Sequence, residues 1–253
     1  MSSTDSSQGV LYIATGAKYI RAAIRSAETV RAHCPGLAIH LFADWQQHGF
    51  DFGASPHPFS SVEQVTDPNR RSKVDYMARS PFDHTLFLDT DTAVVRDVRG
   101  VFGLLDRFDV AASHAPRRPT SGNRHVWRVA MPHAFPQFNS GVFLFRKSPA
   151  VVTLLDQWRH HYHSAGFPQD QVTLRELLWL SDLRIATLPP EYNVRFMKYH
   201  YMWAKREAST YIFHRRRYHD GPFFRVHKWI RRVRRALARR GLGPRRWLDD
   251  APK

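Results

Sequence analysis

Asp89-Thr90-Asp91 follows directly on the apolar run His84-Thr85-Leu86-Phe87-Leu88. Residues i and i+2 of an extended chain share a face, so both carboxylates at such a strand end point the same way. Two negative charges that close repel each other unless a cation or hydrogen-bond donors stand between them. Oxygen ligands of this kind suit Mg²⁺ or Mn²⁺, ions that keep several waters and take further ligands from a substrate's phosphates. A nucleotide carrying a diphosphate is the substrate class to which this chemistry points. On three residues alone a second reading stays open, a turn in which each Asp accepts bonds from nearby backbone N–H groups. Thr92-Ala93-Val94-Val95 returns to apolar character, so the carboxylates interrupt a hydrophobic region, which favours the metal.

The elements that must position this pair alternate between strand and helix. Val10 to Ala14 reads as a buried strand ended by Thr15-Gly16, and Ala17 to Ala32 as a helix with Ile20, Ala23, Ile24, Ala27 and Val30 on one face. Cys34-Pro35-Gly36 stops that helix before a second strand, Leu37 to Phe42. Strand, helix, strand in this order is a βαβ unit, so a parallel sheet is expected. A helix over 69–80 broken by Pro81, a short helix at 101–105 and strands at 84–88, 108–112 and 140–145 follow. Helices at 148–161 and 169–180 and strands at 183–188 and 211–214 complete the expected set. The stretch 114–137, rich in Pro, His and Arg, reads as a long loop, a form usually functional or disordered within compact domains.

A chain of 253 residues holds one sizeable domain and an appendage. The single cysteine, Cys34, excludes an internal disulfide and a thiolate zinc cluster. Residues 1–9 are polar and are expected to be disordered; without a signal-like apolar run or a membrane-length span, a cytoplasmic-side protein is expected. The net charge of +16 is concentrated: residues 214–246 carry thirteen Arg/Lys against one Asp, +12 of the total. Within 223–253, Val226, Trp229, Ile230, Val233 and Leu237 recur at spacings of three and four among basic residues. This predicts a basic amphipathic helix, expected to associate peripherally with an anionic membrane on its inner face. Packing of the stripe on its own domain, or nucleic-acid binding, are the other readings of such a helix, and nucleic acid is the least expected partner.

Leu11-Tyr12-Ile13-Ala14-Thr15-Gly16-Ala17-Lys18-Tyr19, Arg71-Ser72-Lys73, Asp89-Thr90-Asp91, Asn139-Ser140-Gly141-Val142, Phe167-Pro168-Gln169-Asp170-Gln171 and the late His214 stand in a common order over residues 10–214. In these motifs the chain resembles glycosyltransferases of the GT-A fold, closest to family 8, the glycogenin and bacterial lipopolysaccharide galactosyltransferase group. The resemblance implies an α/β domain over 10–222 with a mixed, mainly parallel sheet flanked by helices. It also implies that Asp89, Asp91 and His214 hold the metal, the histidine favouring Mn²⁺ over Mg²⁺. Thr15 and Tyr19 would touch the base and ribose of the donor, most simply a UDP-sugar, with Thr90 beside its phosphates. Lys73 would pair with phosphate, Arg71 being a competitor for that role. Asn139 and Gly141 would line the donor sugar, Asp170 would bind its hydroxyls, and Gln171 would lie near the reacting face. Taken singly, Tyr19 could equally pack on the sheet, Lys73 face solvent, and Asp170 serve a helix start. The chain departs from the family pattern at Gly16-Ala17, where Asn-Asp is common, and at Arg215-Arg216-Arg217, where Gly and then Lys-Pro-Trp are usual.

The expected activity is divalent-metal-dependent transfer of a sugar from a nucleotide-diphosphate sugar to an acceptor hydroxyl, with retention at the anomeric carbon. The basic tail points to a glycan or glycolipid acceptor in cell-envelope synthesis. Two alternatives remain at this stage. A nucleotidyltransferase would share the sheet and the metal but usually carries a Gly-rich phosphate loop, which Gly16 alone does not supply. A non-enzymatic membrane- or nucleic-acid-binding module would account for the tail only.

Overall fold

The computed structural model describes residues 7–116, 125–203 and 207–215. The sheet grows to both sides of β1 (Gln8–Ala14), a strand buried on both faces from Val10 onward. Parallel β2 (Ala38–Ala43) and, beyond it, β3 (Ser61–Gln64) lie on one side. Parallel β4 (His84–Leu88) lies on the other, so the chain reverses its direction of sheet growth between β1 and β4. The short β5 (Thr92–Val94) leaves this sheet, and β6 (Val110–His114) returns to it. With β7 (Phe138–Arg146) and β8 (Ile185–Thr187) the order becomes β3-β2-β1-β4-β7-β6-β8. β7 runs antiparallel to both β4 and β6, which makes the sheet mixed but mainly parallel.

Alternation along the strands sorts side chains into two cores. Val10, Tyr12, Leu86, Leu88, Val142 and Leu144 face α1 (Ala17–His33), whose Ile20, Ala23, Ala27 and Val30 lie at helical spacing. Leu11, Phe87, Phe143 and Phe145 face α2 (Ser72–Tyr76), α3 (Pro149–Ala165) and α4 (Gln171–Leu180). α3 starts where Ser148 caps Val151 N–H and Pro149 supplies the first turn, and it ends at Gly166 in the left-handed region. Fully buried parallel strands read as continuous apolar runs, which is why β1 and β4 are legible in the sequence.

Several boundaries differ from the sequence reading. β1 starts at Gln8, inside the stretch expected to be disordered: Gln8 and Gly9 pair with His84 and Thr85, and Ser7 donates to Asp83. The expected 69–80 helix is one turn and a half of α-helix followed by a 3₁₀ turn at Met77–Arg79, and the segment Arg99–Asp106 is 3₁₀ throughout. β3 and α5 (Met197–Met202) were not expected. The last described strand, β9 (Ile212–His214), pairs antiparallel with β5 in a separate two-stranded sheet. The basic segment 223–253 with its expected helix, Arg216 and Arg217, and residues 117–124 of the long loop lie outside the described residues. Among the described residues no helix is long and apolar enough to cross a membrane.

Candidate metal and donor site

In an open α/β sheet, ligands bind beyond the carboxyl ends of the strands where the strand order reverses. Here that crevice lies between β1, which delivers Thr15 and Gly16, and β4, which delivers Asp89. Gly16 has φ +93° and ψ 144°, a conformation that only glycine adopts readily, and its N–H donates to Asp44 Oδ1 at 2.8 Å. Asp44 comes from the end of β2, so the turn is tied to the neighbouring strand. Tyr19, three residues on, is 47% exposed. Thr15 Oγ1 donates to Asn69 O at 3.0 Å and so holds the segment before α2 against the β1 end.

Asp89, Asp91 and His214 converge although they lie far apart in the chain. The β5–β9 ladder places Thr92 opposite His214, and Arg215 N–H donates to Asp91 O at 2.8 Å. His214 Nε2 stands 3.1 Å from Asp91 Oδ1 and 3.5 Å from Asp89 Oδ2, and one ligand atom from each residue fits within 4.8 Å of the others. Adjacent ligands of an octahedral ion with bonds of about 2.1 Å lie about 3 Å apart, so the separations and the donor set fit Mn²⁺ or Mg²⁺. The floor beneath them is Gly141. A Cβ there would stand 2.8 Å from Asp89 Cγ and closer still to Asp89 Oδ2 and His214 Cε1. Glycine at 141 is therefore required by the ligand side chains themselves, with Gly141 O also accepting from Asp89 N–H at 2.8 Å. Thr90, between the carboxylates, is buried.

Burial works against the charge of both carboxylates, but neighbouring cations prevail. Lys73 and His214 hold the Asp89 carboxyl well below the usual carboxylate range, and His214 with Arg195 lowers Asp91. Both are ionised at neutral pH, as ligation requires. His214 is 1% exposed; burial opposes its charged form, while Asp91 and Asp89 outweigh burial and raise its pKa. Two neighbours make opposite demands on its Nε2. Asp91 would accept a proton from it, whereas Arg195 Nη1, at 2.7 Å, donates to it and needs its lone pair. The shorter contact would make Nε2 the acceptor, in keeping with Asn193 Oδ1 lying 2.8 Å from Nδ1. With a metal ion bound the ring would be neutral, its Nε2 lone pair given to the ion; without one the two carboxylates favour its charged form.

Lys73 is the hub of a second group. Its Nζ donates to Asp89 Oδ1 at 3.2 Å and Ser140 Oγ at 3.0 Å, and lies 3.4 Å from Asp170 Oδ2. Burial disfavours this ammonium, yet Asp170 and Asp89 more than offset that and raise its pKa. Lys73 is therefore neither a solvated helix residue nor displaced by Arg71, which lies 3.2 Å from Asp170 Oδ1 and donates to Pro168 O. Asp170, 2% exposed, has both carboxylate oxygens engaged, the second also accepting from Ser140 Oγ at 2.6 Å. Gln171 opens α4 beside it, and Gln137 Nε2 donates to its Oε1 at 3.4 Å. Asn139 Oδ1 is likewise engaged, accepting from Gly141 N–H at 3.2 Å and Asn193 Nδ2 at 3.0 Å.

Every site residue proposed from the sequence thus lies at the carboxyl end of β1 and β4 or on the segments packed there. Ser140, Asn193 and Arg195 were missed. Ser140 sits inside a quoted motif of which only the neighbours are assigned, and Asn193 ends a segment, Leu188 to Asn193, that resembles the family and reads as structural; Arg195 carries no local signal.

A model of the nucleotide-diphospho-sugar transferase family matches residues 84–221, more than half of the chain. No curated protein sequence matches it. In three dimensions the chain is similar to the galactosyltransferase LgtC, crystallised with donor and acceptor sugar analogues: TM-score 0.57 at 15% identity, over 85% of this chain and 87% of that one. An active-site mutant of LgtC gives TM-score 0.56 at 14% identity, over 85% and 88%. The glycosyltransferase GlyE of Streptococcus pneumoniae TIGR4 gives 0.51 at 16% identity, over 82% of this chain and 54% of that one. At these identities the likeness is one of fold, and the GT-A class expected from the sequence is the class observed.

Proposed function

This chain belongs to the nucleotide-diphospho-sugar transferase family, and from that premise we propose that it transfers a sugar from a nucleotide-diphosphate donor to an acceptor hydroxyl with a divalent ion held by Asp89, Asp91 and His214. The observation that carries this reading is the convergence of those three side chains at the switch point of the sheet, over a glycine that leaves room for them. When bound, Mn²⁺ or Mg²⁺ supplies Lewis-acid charge to the departing nucleoside diphosphate.

The chain's own residues do the rest. Tyr19 offers a ring to the base and the Thr15 backbone lines its edge. Lys73 is a fixed, buried ammonium next to Asp89, so it adds positive charge beside the phosphates without the cost of reorienting during reaction. Asp170 holds Lys73 and Arg71 in place and sets the start of α4, from which Gln171 reaches the anomeric side of the donor sugar. Among the described residues, the site carboxylates Asp89, Asp91 and Asp170 are all engaged, which leaves none of the three as a free covalent nucleophile. That favours same-face displacement with retention, assisted by the leaving phosphate. A glycan or glycolipid acceptor of the cell envelope is the acceptor class we infer from the basic C-terminal composition.

Donor hydrolysis across UDP-, GDP-, CMP- and dTDP-sugars, with Mn²⁺ or EDTA, tests this for wild type and Asp91→Ala. Release of one nucleotide that requires Mn²⁺ and disappears in the variant is the expected result. Should no donor be hydrolysed, calorimetry decides: Mn²⁺-dependent nucleotide binding keeps the reading with an acceptor-gated enzyme, and its absence sinks it.

A further inference from the structure

A histidine ligates a metal through whichever ring nitrogen keeps its lone pair, and that choice is set by what the other nitrogen bonds. His214 is buried, its Nε2 faces Asp89 and Asp91, and its Nδ1 lies 2.8 Å from the side-chain amide of Asn193. An amide can present either oxygen or NH₂, so this contact alone does not fix the tautomer.

The next contacts do. Asn193 Nδ2 lies 3.0 Å from Asn139 Oδ1, and Asn139 Oδ1 accepts from the backbone N–H of Gly141 at 3.2 Å. A backbone N–H cannot turn into an acceptor. It therefore orients the Asn139 amide with its oxygen inward. That oxygen in turn requires Asn193 to approach with its NH₂, and Asn193 is left with Oδ1 to offer His214. The imidazole must then carry a proton on Nδ1, which leaves Nε2, facing the two carboxylates and 2.7 Å from Arg195 Nη1, as the nitrogen that can present a lone pair. The direction of the whole relay is set by one peptide group in the strand β7 that also forms the floor of the site. Asn139 and Asn193 are both buried, so water does not compete for these bonds.

We propose that Asn193 is a positioning residue that fixes His214 in the tautomer whose Nε2 faces Asp89 and Asp91, with Asn139 orienting Asn193 from behind. The role in metal affinity rests on the metal reading given above; the role in tautomer selection does not. Asn139, expected from the sequence to line the donor sugar, uses its carbonyl oxygen for these contacts.

The test pairs two readouts on the full chain. Long-range ¹⁵N NMR of histidine-labelled protein in EDTA, with His214→Gln to assign the signal, reports the tautomer. Electron paramagnetic resonance of free Mn²⁺ reports the dissociation constant, with Asp91→Ala as reference. At a pH above the raised pKa of the ring, wild type should show His214 protonated on Nδ1 alone. With Arg195→Met in the background, since Arg195 Nη1 at 2.7 Å also calls for a lone pair on Nε2, Asn193→Leu should lose that preference and bind Mn²⁺ about 10- to 100-fold more weakly, the range typical of removing such a supporting bond. Asn193→Asp keeps an acceptor at Nδ1 and should keep the tautomer while losing stability, because its second oxygen then faces Asn139 Oδ1; a retained tautomer in a less stable variant is an outcome that a merely structural role would not produce. If Asn193→Leu does not fold, Asn193→Ser, too short to reach the ring, replaces it. A folded Leu or Ser variant that retains the Nδ1–H tautomer overturns the proposal. Mn²⁺ binding that is absent in wild type, or unaffected by Asp91→Ala, overturns the metal reading instead and leaves the NMR result to decide the tautomer.

Discussion

Gly141→Ala is the sharpest perturbation of the site, because the reason for glycine there is a contact with identified atoms. The new methyl would stand 2.8 Å from Asp89 Cγ and nearer still to Asp89 Oδ2 and His214 Cε1. Ordinary carbon contacts need about 3.5 Å or more, so Asp89 must withdraw by roughly 0.7 Å or more, and His214 with it. Metal–ligand distances tolerate only about 0.2 Å. The expected loss of Mn²⁺ affinity is thus at least about 100-fold, the upper end of what indirect perturbations cause. Overpacking should also cost roughly 1–3 kcal/mol of stability, each kcal/mol lowering Tm by roughly 2–4 °C in a chain of this size. The assay is Mn²⁺ titration followed by paramagnetic resonance, with thermal unfolding in Mn²⁺ and in EDTA. Wild type should gain Tm from Mn²⁺ and the variant should not. A variant that binds Mn²⁺ as tightly as wild type but loses donor affinity would refute this account, since the glycine would then make room for the sugar.

Lys73→Met should destabilise the fold by roughly 3 kcal/mol in urea unfolding, because a buried carboxylate cluster loses its central cation; a loss under about 1 kcal/mol would show that Arg71 suffices for Asp170. Mn²⁺ affinity should fall with pH through the raised pKa of His214, since a proton and the ion compete for Nε2. Asp89 and Asp91, whose pKa values are lowered, stay ionised over that range, so the slope should be that of one proton; an affinity that is flat from about pH 8 to 5 would exclude His214 as a ligand. Arg175 Nη2 donates to Pro132 O and Phe135 O and so ties residues 125–137 to α4. Arg175→Ala should accelerate tryptic cleavage after Arg128 about 5- to 30-fold, for about 1–2 kcal/mol of local opening, and an unchanged rate would place the anchoring elsewhere.

What the sequence made legible follows from how each feature is encoded. β4 and Asp89-Thr90-Asp91 are local: an apolar run ending in charge needs no partner to be recognised. β3 is a four-residue edge strand whose side chains are only half-buried or exposed, so it lacks the apolar run that marks β1 and β4. α5 is a six-residue helix without a buried residue and has no apolar stripe to read. Within the site, the residue types were readable and the contacts they make with one another were not. Asp170 and Asn139 were expected to meet the donor sugar; the ties of Asp170 to Lys73 and Arg71 and of Asn139 to Asn193 were not foreseen. Such commitments depend on tertiary neighbours dozens of residues away, and a motif carries no record of them.

The β5–β9 ladder has a consequence for the order in which the molecule comes apart. Its three residue pairs join the segment just after Asp91 to the far end of the described chain, and on its other side β9 is bridged by Val194, which bonds Ile212 and His214. An ion bridging Asp89, Asp91 and His214 would act there as a clasp, closing a loop of chain between residues 89 and 214 whose closure entropy the short ladder and the Val194 bridge must otherwise meet. Chelation would then be felt first as local detachment of residues 212–215 from β5, well below the temperature at which the central sheet melts. Hydrogen exchange at Ile212, Phe213 and His214 would register that detachment while β1 and β4 remain protected.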